Sequence, residues 1–337
     1  MRRANSRLKR FLLLLLTAGM LVAGAGLWWI HQPLPLKLAA GSAALDLEIE
    51  PGNADQAAAA VVASGVDVPV RALQWWFRLS GQARLVKAGS YEITPGSTPR
   101  SVLNMLVRGD QTLRSVTLVE GWTFTQVREA LQKAEQLGQE TSGLPAQSIM
   151  KMIDKPDIHP EGRFFPDTYT YAKGSSDVAV LRRAARAMDK RLDTAWALRS
   201  PDSPLKTPLD ALVLASIVEK ETGQAADRAQ ISGVFTNRLR LGMMLQTDPT
   251  VIYGLGSQFD GNLRRRDLRA DTPYNTYTRS GLPPTPIAMP GKAALLAAVQ
   301  PAPTQALYFV ARGDGFSQFS ATLEEHNRAV KKFILKQ

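Results

Sequence analysis

Hydrophobic positions fall into three patterns along this chain. Phe11 to Ile30, FLLLLLTAGMLVAGAGLWWI, runs twenty residues without a charge. As a helix it would extend about 30 Å, the thickness of a bilayer core, with Trp28 and Trp29 where an interfacial aromatic belt lies. The second pattern is short alternation followed by helical spacing, and it occurs three times. Leu45 to Glu50 alternates as a strand, Pro51-Gly52 turns, and Asn53 to Val62 reads as a helix. From Gly89 to Val107, SYEIT precedes Pro95-Gly96 and a helix with Thr98 at its cap and Pro99 at its first position. From Ser115 to Leu131, SVTLV precedes Glu120-Gly121 and a helix whose Thr123 and Gln126 have capping-box spacing. In each copy the glycine is expected to take a turn conformation that a Cβ resists. The third pattern is ALVLASIV, inside a helix predicted over Leu209 to Thr222 and ended by Gly223. It is apolar on every side, so that helix is predicted to be buried.

The remaining segments are less regular. Trp75-Trp76-Phe77 point in different directions on a helix, so at least one belongs to a core. Residues 132 to 160 read as helices and polar loops, and EGRFFPDTYTYA (Glu161 to Ala172) as an aromatic strand and turn. Asp177 to Trp196 is a strongly basic amphipathic helix, read as a solvated surface helix. SGLPPTPIAMPG, Ser280 to Gly291, is a proline-rich loop with little freedom in φ. The fold class expected is α+β: an N-terminal transmembrane helix, a small membrane-proximal α/β subdomain and a larger α+β domain.

Charge gives the apolar run an orientation. The first ten residues, MRRANSRLKR, hold five Lys or Arg and no acid, which predicts a cytoplasmic N-terminus and an exported remainder. A cleaved signal peptide ending near Ala23-Gly24-Ala25 is the alternative, but the apolar run is longer than that class uses. Net charge is +11, of which the tail holds +5. The mild basic excess left on the exported part suits an anionic polymer or membrane surface, and the topology argues against nucleic acid.

Composition narrows the chemistry. With no Cys, thiol catalysis, disulfides and cysteine-based metal sites are excluded. The three histidines, His31, His159 and His326, show no ligand or triad spacing, so no metal and no cofactor are expected. Carboxylates remain. Glu219 and Glu221 end the apolar helix, and a carboxyl in an apolar wall keeps a proton near neutrality and can give it to a glycosidic oxygen. Glu219 shares a helix face with Leu212, Ala215 and Ser216, and Glu221 shares one with Leu214 and Ile217. The two point about 200° apart at 3.6 residues per turn. Periodicity does not decide which faces a groove. An alternative for either is an ion pair with Lys220, Arg228 or Arg238. Gln246, Asp248, Thr250, Tyr253, Asn275 and Tyr277, on the loops that follow, are candidate substrate contacts.

LASIVEKETG, NRLRLGMMLQTDPTVIYGLG, TPYNTYTRSGLPPTPIAMPG and ALYFVARGDGFSQFSATLEEHN, with VTLVEGWT and EGRFFPDTYTYA upstream, closely resemble the endolytic murein transglycosylase (YceG-like) family over nearly the whole chain. KAGSYEITPGSTPRSVLNMLVRGD separately resembles a LysM-like module. The resemblance implies a layout of cytoplasmic tail (1–10), transmembrane anchor (11–30), LysM-like membrane-proximal domain (34–113) and catalytic domain (114–337). It implies a periplasmic lyase on the inner membrane that cuts nascent peptidoglycan strands and leaves 1,6-anhydro ends, with peptidoglycan synthases as possible partners. It assigns the catalytic acid to the first glutamate of IVEKE, Glu219, and likens Gln246 and Tyr274-Asn275 to the Gln loop and Tyr-Asn segment of lysozyme-like transglycosylases. A hydrolytic muramidase using Asp248 as second carboxylate, and a non-catalytic wall-binding scaffold, are the other readings.

Overall fold

The computed structural model describes residues 2–38 and 44–336, with side chains from Leu13 onward. The chain divides into two compact units. One holds the chain up to Arg114 together with Ala172–Gly174; the other holds Ser115–Tyr171 and the chain from Ser175 on.

The first unit opens with helix α1 (Arg2–Trp29), along which Leu13 to Leu16, Met20, Leu21, Val22, Leu27 and Trp28 are exposed. Among the described residues no helix is long and apolar enough to cross a membrane. The expected tail 1–10 and the first two residues of the expected span, Phe11 and Leu12, lie outside the described side chains. Strands β1 (Leu45–Ile49) and β2 (Gly89–Ile93) pair antiparallel with Leu47 opposite Tyr91. Alternation turns Leu45, Leu47 and Ile49 inward. They meet helices α2 (Ala54–Ala63), α3 (Val70–Leu79) and α4 (Pro99–Arg108) in a core that includes Val61, Leu73, Phe77, Ile93 and Leu106. Asn53 caps α2 and Thr98 caps α4, each in a reciprocal capping box, with Pro99 in the first turn of α4. Of the aromatic triplet, Phe77 is buried, Trp76 donates Nε1–H to the Pro99 carbonyl at 3.2 Å, and Trp75 is exposed.

Strand β3 (Leu113–Thr117), most of which lies in the second unit, pairs with β4 (Thr168–Ala172). Helices α5 (Phe124–Lys133), α6 (Ala146–Met152) and the start of α7 (Asp177–Ala197) close one core around Val127, Leu131, Ile149, Phe164 and Leu181. The third copy of the strand–turn–helix grammar lies here, with Thr123 and Gln126 making the capping box. Gly96 and Gly121 take positive φ in their turns (91° and 77°), whereas Gly52 does not. What Gly52 avoids is contact: a Cβ there would meet Gln56 Oε1 at 2.4 Å, the atom that caps α2.

The larger core surrounds α8 (Pro208–Glu221), flanked by α7, α9 (Ala225–Arg240) and α12 (Lys292–Val299). Every residue from Ala211 to Val218 is buried, as the unbroken apolar run requires. Thr207 and Asp210 cap its start with Pro208 in the first turn. Its end differs from expectation: extended Thr222 (φ −149°, ψ 135°) stops the helix, so Gly223 is not needed as a left-handed cap. Helices α10 (Asp248–Leu255) and α11 (Arg265–Arg269), the hairpin β5 (Tyr308–Ala311) and β6 (Ser317–Ser320), and α13 (Leu323–Val330) complete the unit.

Candidate active site

The end of α8 presents two carboxyl groups to two different surroundings. The Glu219 side chain is only 7% exposed. Its Oε2 accepts the Gly291 amide at 2.8 Å, and its Oε1 lies 3.8 Å from Arg228 Nη2. Gly291 ends the proline-rich loop and caps α12. An added Cβ would stand 1.8 Å from Glu120 Oε1, so a side chain there would require the Glu120 carboxylate to move aside. The same loop is pinned to α8 by the Ile287 amide donating to Ser216 Oγ at 3.0 Å. Burial raises the Glu219 pKa, with the nearby Glu120 charge adding to it; the Gly291 hydrogen bond and the charges of Arg228 and Lys220 oppose the rise. The ion pair left open by the sequence is therefore present, with Arg228.

Glu221 faces the loop that runs into α10. The Thr247 hydroxyl donates to its Oε1. Burial lifts its pKa to about 7, opposed by the Thr247 hydrogen bond and reinforced by the charge of Asp248. Asp248 begins α10, and its Oδ1 accepts the Tyr277 hydroxyl at 2.6 Å. Gln246, with φ at +51°, takes the Thr276 carbonyl on its amide at 3.0 Å and offers Oε1 to Arg238 Nη1 at 3.3 Å. Gln246 and Asp248 are exposed and Tyr277 is half-buried.

The structure thus separates the candidates. Gln246, Asp248 and Tyr277 gather with Thr247 on the Glu221 side of α8, not around Glu219. Thr250 and Asn275 are fully buried and present no surface to a substrate. Thr250 Oγ1 donates to the Thr247 carbonyl at 2.8 Å and meets Thr276 Oγ1 at 2.9 Å. Asn275 Nδ2 donates to the carbonyls of Asp267, Leu268 and Ala270, and its Oδ1 accepts the Tyr277 amide. These two hold the loops that carry Asp248 and Tyr277. Tyr253 belongs elsewhere: its hydroxyl donates to Glu161 Oε2 at 3.1 Å, and its ring meets Tyr274 edge-on at 4.9 Å.

Two residues of this region carry more than their sequence suggested. Glu161 is 4% exposed, accepts the Phe124 amide at 2.9 Å on Oε1, and has its pKa pushed by burial to about 7. In sequence it is one letter in an aromatic segment, and nothing local marks it as buried. Arg238 is buried and spends its guanidinium on the carbonyls of Leu307, Met244 and Leu245, which fixes the bend before Gln246. Its unusual cue was position, at the end of a helix beside a glycine turn. Among the described residues no group of three or more His, Cys, Asp or Glu could hold a metal.

A carboxyl pushed by burial to about 7, with one oxygen held by a hydroxyl and polar side chains beside it, is chemically able to give up a proton and take one back near neutral pH. The fold around it has known relatives. The chain belongs to the YceG-like family, whose model matches residues 47–332. It is 31% identical over 291 residues to the endolytic murein transglycosylase of Bacillus subtilis (strain 168), covering 78% of this chain and 77% of that one. The protein of the same name in Streptococcus pneumoniae serotype 2 is 27% identical over 284 residues, covering 74% of this chain and 51% of its own length. The crystal structure of a yceG-like protein from Listeria monocytogenes superposes with a TM-score of 0.52 at 27% identity, covering 85% of this chain and 98% of that one.

Proposed function

We propose that this chain is a membrane-anchored endolytic lytic transglycosylase of peptidoglycan, with Glu221 as its acid and then its base. The observation that carries the reading is the Glu221–Thr247 pair beside Asp248, Tyr277 and Gln246, in a chain whose family relatives are named endolytic murein transglycosylases. Glu221-COOH protonates the oxygen between N-acetylmuramic acid and N-acetylglucosamine, and the glycosidic bond breaks. The carboxylate then removes the proton of the muramoyl 6-hydroxyl, whose oxygen bonds to the anomeric carbon. The product is a 1,6-anhydro end; no water is consumed and the carboxyl is regenerated. A pKa near 7 supports both half-reactions, since each protonation state is populated at neutral pH.

Glu219, which the family resemblance favours, is the second reading, and its burial and raised pKa support it. Against it stand the Gly291 amide and Arg228, which both favour the ionised form. The deciding experiment is mass spectrometry of products from uncrosslinked glycan strands digested by the full-length chain, E221Q and E219Q. Internal cuts with 1,6-anhydro ends, lost in E221Q and retained in E219Q, establish the proposal. Loss in E219Q alone returns the acid to Glu219. Reducing ends identify a hydrolytic muramidase and make Asp248 its second carboxylate. Strands bound but never cut identify a scaffold.

The layout belongs to the same proposal: tail 1–10, anchor 11–30, LysM-like unit 34–113 and catalytic domain 114–337. The apolar run with its basic flank supports the anchor, and the change of compact unit after Arg114 supports the last boundary. On this reading the catalytic domain lies in the periplasm at the inner membrane, where nascent strands and the synthases that make them are within reach. Extraction of the chain from membranes by alkaline carbonate, or protection of residues 34–337 from a protease added to intact spheroplasts, contradicts it.

A further inference from the structure

The basic helix α7 has one face that the proposed reaction does not use. Between α7 and α12 lies a cavity of about 290 Å³. Lys190 and Arg191 line it from α7 and Lys292 from the first turn of α12, while Ala187, Leu295 and Leu296 supply apolar wall. Three cations thus converge on one small cavity, and no acidic side chain lines it. The two acids of α7 nearest in sequence are placed otherwise: Asp189 binds Lys155 at 2.7 Å, and Asp193 is not among the lining residues.

Two of the three cations are not neutralised by the protein. Lys190 and Lys292 are exposed and make no ion pair among the described residues. Arg191 is held with its guanidinium 4.0 Å over the Phe165 ring, and its Nε is buried without a hydrogen-bond partner. It makes one long ion pair, from Nη2 to Asp167 at 4.0 Å. A guanidinium fixed by stacking and holding only one long ion pair keeps capacity to bind a further carboxylate. Partial positive charge at the start of α12 adds to the same field.

We propose that this cavity is a binding subsite for an acidic peptide, and that in the reaction above it takes the carboxylates of the peptide stems carried by the glycan strand. The proposal rests on the transglycosylase reading for its ligand's source, but not for its chemistry. Lys292 directly follows Gly291, whose amide holds Glu219, so one lining residue of the cavity borders the loop that meets α8 on its Glu219 face. The stems extend away from the glycan, so they are the acidic peptides that the proposed reaction would bring to a cationic cavity. Apolar wall beside the cations suits a peptide with aliphatic side chains better than a bare phosphate.

The test uses full-length wild type and K190E/K292E, whose substitutions fall on exposed side chains. Uncrosslinked strands with peptide stems are compared with the same strands stripped by an amidase. The ratio of kcat/KM on stem-bearing to stripped strands is expected to fall roughly tenfold or more in the variant, as the loss of charge-assisted contacts implies. The same ratio in both proteins overturns the subsite. A separate titration with a synthetic acidic stem pentapeptide reads the site without turnover: salt-sensitive binding is expected in wild type and is expected to be lost in K190E/K292E. Binding that the variant retains, or none in wild type, overturns the proposal whatever the strands show. If wild type cuts neither kind of strand but binds the peptide, the reaction is wrong and the site stands.

Discussion

Glu219 and Glu221 are two residues apart, and the helix geometry that separates them gives them different surroundings. Glu219 accepts an amide and lies near a guanidinium, so its environment pulls toward the anion against burial. Glu221 has one hydroxyl donor and a neighbouring carboxylate, so burial prevails and its pKa reaches about 7. Glu221→Gln is therefore expected to lower kcat by about 10²–10⁴, the usual worth of acid–base help. Glu219→Gln should cost much less in kcat. Equal losses would mean that the two act as a unit, and circular dichroism of both variants separates chemistry from folding. Thr247→Val tests the tuning itself. The Thr247 hydrogen bond favours ionised Glu221, so its removal raises the Glu221 pKa further. The basic limb of the pH–rate profile, where the acid form is lost, should move to higher pH. A limb that stays in place would detach Thr247 from the chemistry.

At the scale of elements, α8 depends on a sharp start as well as on burial. The Asp210 amide donates to Thr207 Oγ1, and Asp210 Oδ2 accepts the amides of Lys206 and Thr207. Thr207→Ala should cost about 1 kcal/mol, measurable by urea unfolding, because helix donors lose their acceptor. No loss would mean that packing of Ala211 to Val218 alone sets where the helix begins. Such caps were legible in the sequence because they are local: Thr98, Thr123 and their partners lie within four residues. The burial of α8 was legible for a related reason, since its apolar run leaves no polar stripe. That same uniformity hid which glutamate meets the polar loop. A helix buried all round carries no periodic sign, and the answer comes from where α10 and the proline-rich loop dock. The burial of Thr250 and Asn275 is hidden for the same cause. Their polar letters say only that they hydrogen-bond, and the partners turned out to be backbone and Thr276.

For the molecule as a whole, the buried carboxyls bias stability toward acid. Glu161 and Glu221 each have a pKa near 7 in the folded chain against an ordinary value of 4.5. Between those values the folded state binds more protons than the unfolded state. Stability then falls as pH rises, the reverse of the usual salt-bridged carboxylate. The contribution is fully present below about pH 4.5, declines through about pH 7 and is constant above it. Between pH 5 and pH 8 each group should remove on the order of 2 to 3 kcal/mol. Glu219 acts in the same direction. Unfolding in urea at the two pH values, for wild type and for E161Q/E221Q, measures the effect. Glutamine at 161 retains an acceptor for the Phe124 amide, so the double variant keeps that hydrogen bond. Its stability should change less between pH 5 and pH 8 than that of wild type, and it should be the more stable of the two at pH 8. Identical pH dependence in the two proteins would place the titrating groups elsewhere, and with them the proton that the proposed reaction requires at neutral pH.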